Sequence, residues 1–286
     1  MDLAVISRAV IDGLVLSSGY MLMGVGLTLV FGVLGIYNFA HGEFVMVGAY
    51  VAYVFFGLLH FPFPVVVLIA AVAVGGLGVV VERGLFRPVR SQPFLGFLLS
   101  IGLVYVLQVV AEAIFNPIQK SVPPVSFEMV KIGSLSFTVE RLVLIPSVLL
   151  VMLIVWLFLE KTKYGRAVRA TSQDPRSAAL MGMSAEKMAV MVMFMAGVLA
   201  GLAGVVTSQF SPVNPLFGTN VIMKAFVVVI IGGSSSIGGA IVASLIFGLL
   251  TSFVSTFYSP GAAVLADALV MGLILVIRPQ GLFGHE

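Results

Sequence analysis

The stretch Gly26-Leu27-Thr28-Leu29-Val30-Phe31-Gly32-Val33-Leu34-Gly35-Ile36-Tyr37-Asn38-Phe39-Ala40-His41-Gly42-Glu43-Phe44 decides how this chain is read. It lies inside a run that is otherwise apolar from 9 to 59, yet it carries Asn38, His41 and Glu43 at its middle. A histidine and a carboxylate at membrane depth are costly unless they face protein or a hydrated path, which makes them functional candidates. The break points to transport before enzymology. A polar turn at the membrane surface is the plainer alternative. One His-x-Glu without a third ligand nearby is not a zinc pattern.

Working outward, composition agrees. Of 286 residues, 60% are hydrophobic and 9% charged, and the mean hydropathy is +1.18, values foreign to a soluble domain. Lipid leaves only helices and closed barrels viable, and these runs are continuously apolar rather than alternating. The fold class is therefore all-α, a polytopic membrane helix bundle. Apolar segments fall at 11–35, 44–59, 64–81, 94–115, 142–159, 188–206, 221–231, 237–257 and 262–277. That gives eight or nine membrane elements in one domain spanning 1–286. The segments 44–59 and 221–231 fall short of the roughly 20 residues a span needs, so each reads as a half-helix or tilted piece beside a break. The first run has no cleavage pattern after it and is expected to remain a span. The absence of cysteine excludes a disulfide framework and thiol chemistry.

The net charge of +3 reflects basic loops and reports orientation rather than nucleic-acid binding. Arg83, Arg87 and Arg90 crowd one loop, and Lys161, Lys163, Arg166, Arg169, Arg176 and Lys187 another, so both are expected in the cytoplasm. The loop 116–141 is then external, with a weak hairpin around Gly133-Ser134. Arg278 places the C-terminus inside. The N-terminus stays open, because Asp2, Arg8 and Asp12 nearly cancel.

Two further features carry information. The run Gly232-Gly233-Ser234-Ser235-Ser236-Ile237-Gly238-Gly239 is a second break, in the last third of the chain. Paired interruptions in the two halves of a membrane chain point to a transport path, while a cytoplasmic turn is the plain alternative. Within the basic loop 160–187, Asp174-Pro175 has the chemistry of a helix start. Residues 176–183 then form about two turns with an apolar stripe, ending near Gly182. Such a helix fits a docking partner or the lipid headgroups. Small residues four apart, Ala196-Ala200-Gly204, Gly197-Gly201 and Ala71-Gly75, fit close helix packing of the kind any membrane bundle shows.

The stretch from Gly26 to Phe44 resembles the signature of the Liv-type permeases of branched-chain amino-acid ABC importers. Tyr164-Gly165-Arg166-Ala167-Val168-Arg169-Ala170 with Asp174-Pro175, the Gly232 to Gly239 run, and the tail Arg278-Pro279-Gln280-Gly281-Leu282-Phe283-Gly284 resemble it too, so the likeness covers the chain end to end. The resemblance implies a multi-pass permease subunit in a bacterial-type inner (plasma) membrane, without cofactor of its own. It implies a second homologous permease, two cytoplasmic ATPase subunits and a periplasmic substrate-binding protein as partners. The transport path would involve Asn38, His41, Gly42, Glu43, Gly232, Gly233, Ser234 and Ser235. The ATPase contact would involve Arg166, Arg169, Asp174, Pro175, Ala178, Ala179 and Gly182. The family's acidic coupling position is occupied here by Arg176. Urea and short-amide importers share the membrane signature.

What the chain lacks points the same way. There is no Gly-x-x-x-x-Gly-Lys-Ser/Thr sequence to hold ATP phosphates, so energy must come from a partner or a gradient. A gradient-driven transporter would rely on intramembrane acids, for which Glu43, Glu112 and Asp267 are the candidates, with Asp12 near an end. An intramembrane enzyme lacks a catalytic set, since three histidines, no cysteine and no nucleophile elbow are present.

Overall fold

The computed structural model describes residues 3–126, 128–132, 135–278 and 280–283. Helices α1 (Leu3–Leu34), α2 (His41–Val51), α3 (Phe63–Val81), α4 (Pro93–Phe115) and α5 (Val139–Lys161) come first. They are followed by α6 (Lys163–Gln173), α7 (Pro175–Leu180), α8 (Ala185–Thr207), α9 (Phe217–Gly232), α10 (Ile237–Phe257) and α11 (Pro260–Ile277). Among the described residues, eight helices are long and apolar enough to cross a membrane, and α9 is a shorter apolar helix beside them. The protein is a multi-pass membrane bundle.

Helix α1 starts well before the apolar run at 11, and Arg8 and Asp12, one turn apart, pair on its surface. Its 32 residues reach about 48 Å, well beyond the ~30 Å hydrocarbon layer. The segment 44–59, expected as a half-helix or tilted piece, is a continuous helix. Helix α2 passes into a π-helical stretch, Ala52–Leu58, and the two together form an 18-residue span. A second π-helical turn, Glu82–Phe86, extends α3 into the basic loop, where Arg90 pairs with the fully buried Glu82. Strands β1 (Met129–Ile132) and β2 (Leu135–Thr138) pair antiparallel with Met129 opposite Thr138. This is the hairpin expected in the 116–141 loop, although its Gly133-Ser134 turn lies outside the described residues.

Backbone-close contacts join α8 to α2 and α3, and α10 to α1. A Cβ at Gly204 would lie 2.1 Å from the Val45 carbonyl oxygen, and one at Gly48 would lie 2.4 Å from the Gly201 carbonyl oxygen. The pattern read as ordinary bundle packing thus fixes where α8 crosses α2. Gly197 and Gly201 do the same against Val74 and Ala70 of α3, and Gly248 meets Ser17 of α1.

Each end of the bundle has its own charges. Gly32, near the end of α1, lies by Ser172 of α6, and α10 runs antiparallel to α1, with Ser244 beside Gly24 and Leu249 beside Gly13. The starts of α10 and α4, helices α6 and α7, and the end of α1 therefore share one basic end. At the opposite end Arg141 pairs with Asp12 and stacks over Phe210. The N-terminus, which charge balance leaves open, sits at that opposite end.

Replacing Gly204 by leucine is expected to push α2 off α8 and lower the thermal midpoint of the purified protein in detergent, at an overpacking cost of about 1–3 kcal/mol. Gly76→Leu, whose Cβ would meet nothing within 4 Å, should leave the midpoint nearly unchanged.

Candidate functional site

The break joins α1 to α2. Gly35 takes a left-handed φ of 66° and closes the end of α1 with an N–H to Phe31 bond of 2.8 Å. Residues 36–40 then leave the helical path and run back into the bundle, where the His41 ring packs against Gly26 of α1. A Cβ on Gly26 would lie 2.9 Å from that ring. Backbone freed from a helix needs partners. The Phe39 N–H donates to Ser100 Oγ of α4 at 3.1 Å, and Tyr37 stacks on Phe31 with ring centroids 4.2 Å apart. Asn38, His41 and Glu43 are all fully buried.

Glu43 is the polar centre of this region. Its Oε1 accepts from Gln108 Nε2 of α4 at 2.9 Å, and the same nitrogen donates to Thr219 Oγ1 of α9 at 2.8 Å. Gly218 leaves room for the carboxylate, since a Cβ there would lie 2.5 Å from Glu43. Gly42 approaches α9 as closely, 2.3 Å from the Gly218 carbonyl oxygen if it bore a Cβ. Three helices thus meet on one buried acid. Glu112, one turn further along α4 and a candidate intramembrane acid by sequence, is exposed and stands apart from this cluster. The missing signal was tertiary, because Thr219 and Gln108 are ordinary polar residues in apolar helices.

The second break does not join the first. Gly218 and Gly232 stand at opposite ends of α9, about 21 Å apart at 1.5 Å per residue. Gly232, Gly233, Ser234 and Ser235 form a tight turn at the basic end. Gly233 has φ 98°, and Ser236 Oγ caps α10 by accepting from Gly239 N–H at 3.0 Å. The C-terminal tail locks this turn, with Leu282 N–H donating to the Ile231 carbonyl at 2.6 Å and Arg278 Nη1 to the Leu282 carbonyl at 3.1 Å. Two motifs that are separate in sequence form one knot.

The basic loop holds more helix than expected. Residues 163–173 form α6, capped by Thr162, whose hydroxyl accepts from Gly165 N–H at 2.9 Å. Gly165, Val168 and Thr171, three apart, form its buried face, a shorter repeat than the apolar runs that mark the spans. Arg169 pairs with Glu160 of α5, while Arg166 is exposed. Helix α7 begins where Asp174-Pro175 requires. Asp174 Oδ1 accepts from Arg176 and Ser177 N–H at 2.9 and 3.1 Å, and the Ser177 hydroxyl holds its carboxyl below the usual carboxylate range. Ala178 is buried, Ala179 is exposed, and Leu180 and Met181 are 88% and 79% exposed. Gly182, at φ 81°, ends the helix.

The family model described as the branched-chain amino acid transport system / permease component matches residues 9–278. The chain belongs to this family. It is 30% identical over 289 residues to the high-affinity branched-chain amino acid transport system permease protein LivH of Escherichia coli K12, covering 96% of this chain and 94% of that one. It is 29% identical over 294 residues to the corresponding BraD protein of Pseudomonas aeruginosa, covering 97% and 95%. A ribose import permease protein, RbsC of Bacillus subtilis, is 28% identical over only 46% of this chain. No solved structure matches the chain.

In this family member two further intramembrane groups stand out. Lys224 of α9 pairs with Asp267 of α11, whose carboxylate also accepts from Thr251 Oγ1 of α10 at about 3 Å. Asp267 was legible as an intramembrane acid, but its partners were not. Among the described residues no three His, Asp or Glu side chains are grouped to hold a metal.

Gln108→Leu would leave Glu43 buried without its amide partner. The expected loss is about 1–3 kcal/mol of stability, read as a lower unfolding midpoint. Gln108→Glu should be worse still, because it sets two carboxylates together.

Proposed function

We propose that this chain is the membrane-spanning permease subunit of an ATP-driven importer for branched-chain or similar hydrophobic amino acids. The observation that carries the reading is the family match over residues 9–278, together with near-complete coverage by relatives named for branched-chain amino acid transport. Ribose import permeases match less completely, at 28% identity over 46% of the chain for the Bacillus subtilis protein and 73% for the Haemophilus influenzae one, against 96% for LivH. The basic end is cytoplasmic by the positive-inside rule, which sets the C-terminus inside and the N-terminus outside, in a bacterial-type inner membrane. Residues 1–286 act as one permease domain with a second homologous permease, two cytoplasmic ATPase subunits and a periplasmic binding protein. The chain supplies no catalytic group.

Coupling runs through α6 and α7. Leu180 and Met181 project from the basic end on a helix fixed by the Asp174 cap, and an exposed apolar tip of this kind suits an ATPase groove. Closure of the ATPase pair moves this tip, and α6 carries the motion to α1 and α5, against which it packs. The bundle then rocks around a path near the break, with Asn38, His41, Gly42 and Glu43 on one side of it. Gly232, Gly233, Ser234 and Ser235 serve as the cytoplasmic hinge turn between α9 and α10.

Two experiments test the reading. Reconstituted alone, the chain should move no leucine, isoleucine or valine under a proton or sodium gradient, and adding the partners and ATP should start uptake. Gradient-driven accumulation by the chain alone would make it a secondary transporter. Second, Ala178→Glu with Ala179→Arg should abolish uptake while the protein still inserts. Normal uptake and ATPase recruitment in that variant would remove α7 from the coupling role.

A further inference from the structure

A cleft of about 560 Å³ opens beside the break. Its walls include Tyr37 and Phe39 from the break, Phe97 from α4 and Phe226 from α9, and Lys224 and Asp267 are its charged lining residues. We propose that this cleft is the amino-acid transit site within the membrane. The substrate carboxylate pairs with Lys224, and its apolar side chain lies among Phe39, Phe97 and Phe226. The inference rests on the amino-acid import reading and gives that reading a place in the fold.

The charge pair is built asymmetrically. Asp267 keeps only 4% of its side chain exposed and receives both Lys224 and Thr251, so its charge is satisfied inside the protein. The Lys224 side chain keeps 22% exposed on the cleft side. An ammonium has three donors, and one goes to Asp267. A staple for three helices would need no donor left over, and an apolar trio would hold helices in lipid at no desolvation cost. A lysine held by a buried carboxylate and opening into an otherwise apolar cleft suits an anion that arrives with an apolar body.

The walls select the rest of the ligand. Phe39 lies 4.5 Å from Phe226 and 5.4 Å from Phe97 between ring centroids, and Tyr37 lies 6.2 Å from Phe226. Aromatic faces next to a carboxylate site attract an α-ammonium and accept aliphatic side chains. A sugar would need several hydroxyl partners that these walls do not supply, and urea carries no charge for Lys224. The volume is within the usual ligand range of roughly 300–1,000 Å³. Because residues 36–40 are not helical, the wall bearing Tyr37 and Phe39 can shift when the bundle rocks.

The test uses the complete reconstituted transporter with saturating loaded binding protein. Lys224→Met, combined with Asp267→Asn so that no buried carboxylate is left without its cation, should lower uptake about ten- to a hundredfold, the worth of one hydrogen bond to a charged group, with assembly and ATPase recruitment intact. Lys224→Arg should retain most uptake. The double exchange Lys224→Asp with Asp267→Lys restores opposite charges but inverts their order, and it should stay inactive. Phe226→Ala should raise phenylalanine uptake relative to valine severalfold without changing the binding protein's own affinities. Uptake unchanged in Lys224→Met with Asp267→Asn, restored by the exchange, or unchanged in its phenylalanine-to-valine ratio by Phe226→Ala would make the pair a helix staple and overturn the site. If the wild-type assembly imports no amino acid, the import reading itself falls and takes the site with it.

Discussion

Lipid offers no hydrogen bonds, and that constraint organises this molecule around a single unwound segment. Residues 36–40 leave helical geometry inside the bundle, so their backbone must find partners in protein. Ser100 of α4 meets the Phe39 N–H, Phe31 covers Tyr37, and Gly26 leaves space for His41. The Ser100 bond draws in α4, Phe31 and Gly26 hold the segment against α1, and Gly42 and Glu43 just beyond it meet Gly218 of α9. The break is therefore where α1, α2, α4 and α9 converge, and the glycines that let them converge are tied to it.

Close approach is the second theme. In water, burying large side chains would bring helices together, but in lipid that force is absent and packing must come from backbone contact. Gly197, Gly201 and Gly204 present successive faces of α8 to α3 and α2, while Gly42 and Gly218 bring α2 against α9 beside Glu43. Helix α8 is consequently buried along most of its length, whereas α4, α5 and α11 keep most of their surface outside the bundle. Those outer helices have the surface to meet lipid or a second permease. The charged cleft is lined by the break, α4, α9 and α11, so two of these outer helices contribute to its walls.

How much of this was legible in the sequence follows from where each signal resides. Asp174-Pro175 announced α7 because capping is local chemistry, and the structure places the cap there. Helix α6 went unseen because its apolar face is only Gly165, Val168 and Thr171, too thin for a hydropathy reading. The sequence showed both breaks but not the distance between them. They lie at opposite ends of α9, and the Gly-Ser run packs on the C-terminal tail. Lys224 drew no attention as a lone cation in an apolar segment, since its value depends on an acid 43 residues away.

Composition and the length of the apolar runs determined the membrane class, the helical fold and a count of eight or nine membrane elements joined by basic loops, because solvation acts on each segment independently. The four quoted motifs carried the family resemblance for the same reason, being contiguous. Only the tertiary structure decided that Glu43 belongs with Gln108 and Thr219, that Lys224 belongs with Asp267, and that the N-terminus stands opposite the C-terminal tail. These are pairings between helices, and in a bundle held by backbone proximity the partner of a buried charge is set by how glycines let helices cross, which no single segment encodes.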